Sequence, residues 1–146
     1  MENKYFTPDI EDLCIGYECE LLMNTNVSII NPTSNAPEFK PFIFEKNKIE
    51  LLIELHDSIR VPYLTKEQIE AEGWYKVNDS YPIQTFKHSV NVDVEIIYNY
   101  ETHYLFITIP GTIVFVDPYI NYKANLFSGN CKDINTFRKI IKLLGI

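Results

Sequence analysis

The clearest pattern of apolar and polar positions lies at the C-terminus. Ile134, Phe137, Ile140, Ile141 and Leu144 recur at helical spacing and form one apolar stripe, with Asn135, Arg138, Lys139 and Lys142 on the opposite side. Asp133 is suited to cap the first turn and Gly145 to stop the last. The spacing predicts a helix over 134–144, lying across the face of an antiparallel sheet. Upstream the period changes to two. Val92, Val94, Ile96, Tyr98 and Tyr100 alternate with Asp93, Glu95, Ile97 and Asn99, which predicts a strand. Tyr104–Ile109 is a second strand, joined to the first by a tight Glu101-Thr102-His103 hairpin. Further strands are expected at Trp74–Val77, Gln84–His88, Thr112–Val116 and Tyr122–Ser128, with turns at Pro110-Gly111, Asp117-Pro118 and Gly129-Asn130.

The first half is less regular. Thr7-Pro8-Asp9 signals a turn, with one helical turn over Ile10–Leu13. Ile15, Tyr17, Cys19 and Leu21 share one side of a strand, and Glu18 and Glu20 the other. Residues 24–41, rich in Asn and Pro, read as a long loop with a short edge strand at Val27–Ile30 inside it. Phe42–Phe44 is a short strand. Ile49–His56 fits a helical stripe through Ile49, Leu52, Leu55 and His56 and a strand through Leu51, Ile53 and Leu55; the helix is the favoured reading. Ile59–Tyr63 is a strand that feeds a helix over Lys66–Glu72. Thr65 and Gln68 have the spacing of a reciprocal capping box, and Gly73 stands where a left-handed residue must end the helix. The sum is one α+β domain over residues 1–146, with an antiparallel sheet of about six strands and two or three helices.

Composition narrows the function. Apolar residues make up 46% and aromatics 14%, with 10 Tyr and 9 Phe against one Trp, which favours a packed core built on sheet. The net charge of −7 repels a phosphate backbone and argues against general nucleic-acid binding. Lys132, Arg138, Lys139 and Lys142 form the one basic cluster, and its last three members complement the negative end of the C-terminal helix. No secretory leader and no apolar run of about 20 residues is present, so no membrane association is expected. The three cysteines point to free thiols and a cytoplasmic protein.

Candidate chemistry is sparse. On a continuous strand Cys14 and Cys19 would point to opposite faces, Cys131 is remote, and no metal is expected. His56-Asp57 and His88-Ser89 are sequence neighbours, which rarely reach the hydrogen bond that an activated nucleophile requires. His103 falls at a hairpin tip. Glu18 with Glu20, and Asp93 with Glu95, could share a cation, although solvated strand faces look the same. Five glycines leave no material for a phosphate loop, and no cofactor is expected. Arg60 stands out: it lies in an apolar strand near a helix N-terminus, where a guanidinium could hold a phosphate or carboxylate. Trp74, Tyr75, Tyr81, Tyr98, Tyr100, Tyr104, Tyr119 and Tyr122 offer stacking surfaces, more than one core can bury together. Arg60, Trp74, Tyr98 and Tyr100 are therefore the expected ligand-binding residues, and no catalytic residue is assigned.

The block from Ile59-Arg60-Val61-Pro62-Tyr63-Leu64-Thr65-Lys66-Glu67-Gln68-Ile69 to Gly73-Trp74 resembles a segment of small accessory proteins of bacteriophages that infect Bacteroidetes. So does the ending Leu126-Phe127-Ser128-Gly129-Asn130-Cys131-Lys132 with its short Ile/Leu/Lys helix. The resemblance covers residues 57–76 and 92–146 and carries no activity. It implies a viral protein acting in the host cytoplasm, of a kind that often counters host defence by binding a protein or sequestering a nucleotide signal. The expected function is thus non-catalytic binding of a host protein or a small nucleotide-like ligand, compatible with a homo-oligomer. A virion component and, last, a hydrolase using His56 or His88 are the alternatives.

Overall fold

The computed structural model describes residues 4–23, 38–45, 56–78, 80–91, 93–110 and 123–146. The expected strands at 27–30 and 112–116, and residues 49–55 of the expected helix, lie outside them. The chain forms two compact units, Met1–Tyr63 and Leu64–Ile146. The α+β class holds. The expectation of one sheet of about six strands does not, because the strands divide between a four-stranded and a five-stranded sheet. Each sheet has its own apolar cluster. Alternation reports which side of a strand is buried, but not which sheet the strand joins.

In the first unit, β1 (Tyr5–Phe6), β2 (Glu18–Met23), β3 (Glu38–Ile43) and β4 (Ile59–Pro62) pair antiparallel in the order β1-β4-β2-β3. One face buries Cys19, Ile59 and Val61 with Leu13, Tyr17 and Phe44, and Phe6, Leu21 and Phe42 pack against them. The alternation of Tyr17, Cys19 and Leu21 is thus as read, but Ile15 is 57% exposed. Ile15-Gly16 is a turn, not strand, and Gly16 adopts φ +84° with open space around it. The long loop ends sooner than expected, because Glu38–Pro41 already belong to β3. Pro41 is tolerated there because β3 is an edge strand, where a missing N–H need not break a ladder. A 3₁₀ turn covers Ile10–Asp12, and another, His56–Ser58, leads into β4.

The second unit begins with α1 (Lys66–Ala71). Thr65 Oγ1 accepts from the Gln68 amide at 3.3 Å, and Gln68 Oε1 accepts from the Thr65 amide at 3.0 Å, so the capping box is complete. Gly73 at φ +91° turns the chain into a meander of β5 (Trp74–Lys76), β6 (Ile83–His88), β7 (Glu95–Asn99), β8 (Tyr104–Pro110) and β9 (Lys123–Asn130), each paired antiparallel with the next. The β7–β8 hairpin is the expected one. Asn99 Oδ1 accepts from the Glu101 and Thr102 amides, and His103 takes the left-handed conformation at φ 53°. β9 bulges against β8 between Ile107 and Thr108.

α2 (Ile134–Leu144) follows. Asp133 accepts from the Thr136 amide at 2.9 Å, and Gly145 ends the helix at φ 69°. Ile134, Phe137 and Ile140 join Phe86, Ile96, Tyr98, Leu105 and Ile107 in one core, which Ile69 and Trp74 complete. The helix stripe therefore sits on the sheet as its spacing required, but Asn135, expected on the polar side, is buried in the first turn beside Ile134.

Candidate functional site

The four expected ligand residues fall in both units. Arg60 belongs to the first unit; Trp74, Tyr98 and Tyr100 belong to the second. Arg60 faces outward from β4 opposite Glu20 of β2. Its Nε lies 2.7 Å and its Nη2 2.6 Å from Glu20 Oε2. Its guanidinium also lies 3.9 Å from the Tyr5 ring centre and 3.7 Å from that of Phe39. One residue from each strand meets here, in the sheet order Tyr5, Arg60, Glu20, Phe39. Register puts Glu20 opposite Arg60, and the flanking strands supply the rings. The guanidinium is engaged by a carboxylate and two ring faces, as a cation–π sandwich requires.

Trp74 is 2% exposed and Tyr98 0%, so neither offers a stacking face to solvent. Trp74 makes edge contacts with His88 and Phe137. The Tyr98 hydroxyl donates to the Cys131 carbonyl at 2.9 Å and lies 3.2 Å from His103 Nδ1. Tyr100 is half-buried, edge-on to Tyr98 and stacked with Tyr81. Its hydroxyl is shielded and has no hydrogen-bond partner among the described residues. Burial pushes the phenol pKa up, and the Glu67 and Glu70 carboxylates add to that. Backbone and Thr65 hydrogen bonds at the start of α1 hold Glu67 itself below the ordinary carboxylate value.

Three of the other candidate side chains, His88, Glu20 and Glu95, have partners within their own sheets or turns. His88 Nδ1 accepts from the Asn91 amide at 3.1 Å, and the ring also lies close to Gly73. His56 opens the turn before β4. Glu20 is taken by Arg60, and Glu95 faces Lys87 at 3.4 Å. Among the described residues, no three His, Cys, Asp or Glu side chains are placed to hold a metal, and no helix is long and apolar enough to cross a membrane.

Two thiols are withdrawn from chemistry. Burial, with Glu20 adding to it, pushes Cys19 up to about 11, and burial beside Asp133 pushes Cys131 further up. Thiolate is the reactive form, so iodoacetamide at pH 8 is expected to label exposed Cys14 in the native protein and to reach Cys19 and Cys131 only in denaturant. Mass spectrometry of the alkylated protein checks this; native labelling of Cys19 or Cys131 as fast as Cys14 would contradict it. The raised Cys19 value also has a pH consequence. The unfolded thiol ionises near 9.0 while the folded one stays protonated to about 11. Its contribution to stability is intact below pH 9 and is lost as the pH climbs toward 11.

Of the tyrosines read as stacking surfaces, Tyr75 and Tyr104 lie on the outer face of the five-stranded sheet; Phe106 and Ile83 beside them were not singled out in the sequence. Tyr75 is 46% exposed, Ile83 44% and Phe106 40%, all on the face of the five-stranded sheet opposite the core. Tyr104 lies beside Phe106, with ring centres 4.8 Å apart. The signal was the alternation itself: once Trp74, Tyr98 and Leu105 point inward, their neighbours must point out. The chain matches no family model, no curated protein and no solved structure.

Proposed function

We propose that the chain is a non-catalytic binding protein of the phage accessory type, and that its partner is a host protein rather than a small nucleotide. One observation carries the choice of partner. At one corner of the four-stranded sheet, Ile15 and Ile43 are 57% and 55% exposed. The Gly16 amide donates to the Phe44 carbonyl at 2.7 Å, which brings their backbones together. Exposed Glu18, paired in register with Ile43, and exposed Glu45 border them. Isolated exposed isoleucines are ordinary; two at one corner with an acidic border form a surface that a protein with apolar residues inside a Lys/Arg rim would fit. Residues 1–63 carry 5 basic and 11 acidic residues, which would steer such a partner.

The nucleotide reading has less support, since Arg60 already holds a carboxylate and Trp74 and Tyr98 are core, which leaves half-buried Tyr100 of the four residues expected to bind it. The test is co-purification from host lysate of the wild-type chain beside an Ile15→Asp/Ile43→Asp variant with an unchanged circular dichroism spectrum. A defined host protein retained by the wild type, lost by the variant and weakened by salt is the expected result. Equal retention by both, or a nucleotide seen on the protein in native mass spectrometry, would sink the reading.

A further inference from the structure

The outer face of the five-stranded sheet is built differently from the acidic corner. Cross-strand register sets out its rows: Tyr75, Lys87, Glu95 and Thr108, then Thr85, Ile97, Phe106 and Ser128, then Ile83, Asn99, Tyr104 and Asn130. Tyr75, Ile83 and Phe106 are exposed, and Ile97 and Tyr104 are half-buried. Among the described side chains of these rows the only charges are Lys87 and Glu95, directly opposed and 3.4 Å apart. These rows are therefore aromatic, apolar and without net charge on a chain of net charge −7, the ladder continuing from them to Pro110 and Lys123, and residues 64–146 hold 8 basic against 9 acidic residues.

We infer that this face is a self-association surface, and that its occupant is the same face of a second copy of the chain. Charge makes the case. Two copies at −7 repel each other, least where each presents no net charge. A two-fold interface must be complementary to itself, with residue i of one copy meeting j of the other and j meeting i. A Lys beside a Glu meets that condition: with the two-fold axis running between β6 and β7, Lys87 of each copy meets Glu95 of its mate, Thr85 and Ile97 lie next to them on the axis, and Phe106 and Tyr104 of β8 face β5 of the mate. Aromatic residues are enriched in such contacts. A nucleic acid stacking on Tyr104 and Phe106 would need a basic groove, and these rows supply one lysine already matched by a glutamate. The inference is independent of the host-protein reading, which rests on the other unit.

Sedimentation velocity of the full chain from about 1 to 100 μM tests it. The expected species is a dimer of twice 17.1 kDa. Phe106→Glu is expected to weaken dimerisation at least about tenfold, because it puts an unpaired charge into the apolar part of the contact. Lys87→Glu and Glu95→Lys are each expected to weaken self-association when alone. Mixing K87E copies with E95K copies is expected to restore a dimer, because each then supplies the charge that the other lacks. Circular dichroism of each variant separates lost association from lost fold, and the mixing result does not depend on that control. A monomer throughout the range would overturn the proposal. So would a dimer indifferent to Phe106→Glu, or a mixture no better than its components, including the case where the face instead retains another macromolecule.

Discussion

Phe137→Ala is expected to cost about 3–5 kcal/mol, the loss typical of emptying a fully buried aromatic site. Phe137 is 0% exposed and lies where α2 meets the sheet, in one core with Ile96, Tyr98, Leu105 and Ile107. Against a stability of about 5–15 kcal/mol for an ordinary domain, that loss leaves residues 64–146 marginal. The readout is built in. The chain has one tryptophan, Trp74, buried in the same core with its ring centre 6.4 Å from that of Phe137. Its fluorescence in a urea titration follows this unit. The expected result is a midpoint shifted well down with little change in slope. Leu143→Ala is the control on the same helix: at 86% exposed it should stay within about 0.5 kcal/mol of wild type. A Phe137→Ala loss below about 1 kcal/mol would mean that the stripe of α2 is not seated on the sheet.

Much of this unit was legible in the sequence for the same reason that Phe137 matters. Ile134, Phe137, Ile140 and Leu144 have a helical period that no strand could use, and Asp133 and Gly145 bound it by side-chain capping and a left-handed stop. Thr65, Gln68 and Gly73 bound α1 by equally local chemistry. The inward register of Val94, Ile96 and Tyr98 followed from alternation.

Non-local facts were not legible. Nothing in the spacing of Ile59-Arg60-Val61 says that β4 pairs with β1 and β2, strands distant in sequence, rather than with the later meander. The same gap misled the site reading. Tyr98 was read as a stacking surface, yet its own alternation puts it on the buried side, and the outward aromatic residues are Tyr75, Tyr104 and Phe106. Arg60 looked available because its counter-ion, Glu20, is 40 residues away and comes beside it only through strand register.

Arg60→Ala is expected to destabilise residues 1–63 by about 2 kcal/mol. Two ring contacts contribute roughly 0.5–1 kcal/mol each, and the charge-assisted bonds to Glu20 would contribute about as much together, discounted because the two side chains are 32% and 25% exposed. The loss should fall on the shortest strand. β1 has two residues, and Tyr5 is held by stacking on Arg60 as well as by pairing with β4. Trp74 lies in the other unit, so the measurement is hydrogen exchange at the Tyr63 amide, which donates to the Lys4 carbonyl at 3.1 Å beside the β1–β4 pair. Arg60→Ala should expose this amide. Arg60→Lys should protect it only in part, because an ammonium keeps the charge for Glu20 but lacks the planar fork and the stacking face. Full protection in Arg60→Lys would reduce the arrangement to a plain ion pair. Full protection in Arg60→Ala would mean that the sandwich does not hold β1, and would return Arg60 to the ligand-binding role that its place in the sequence suggested.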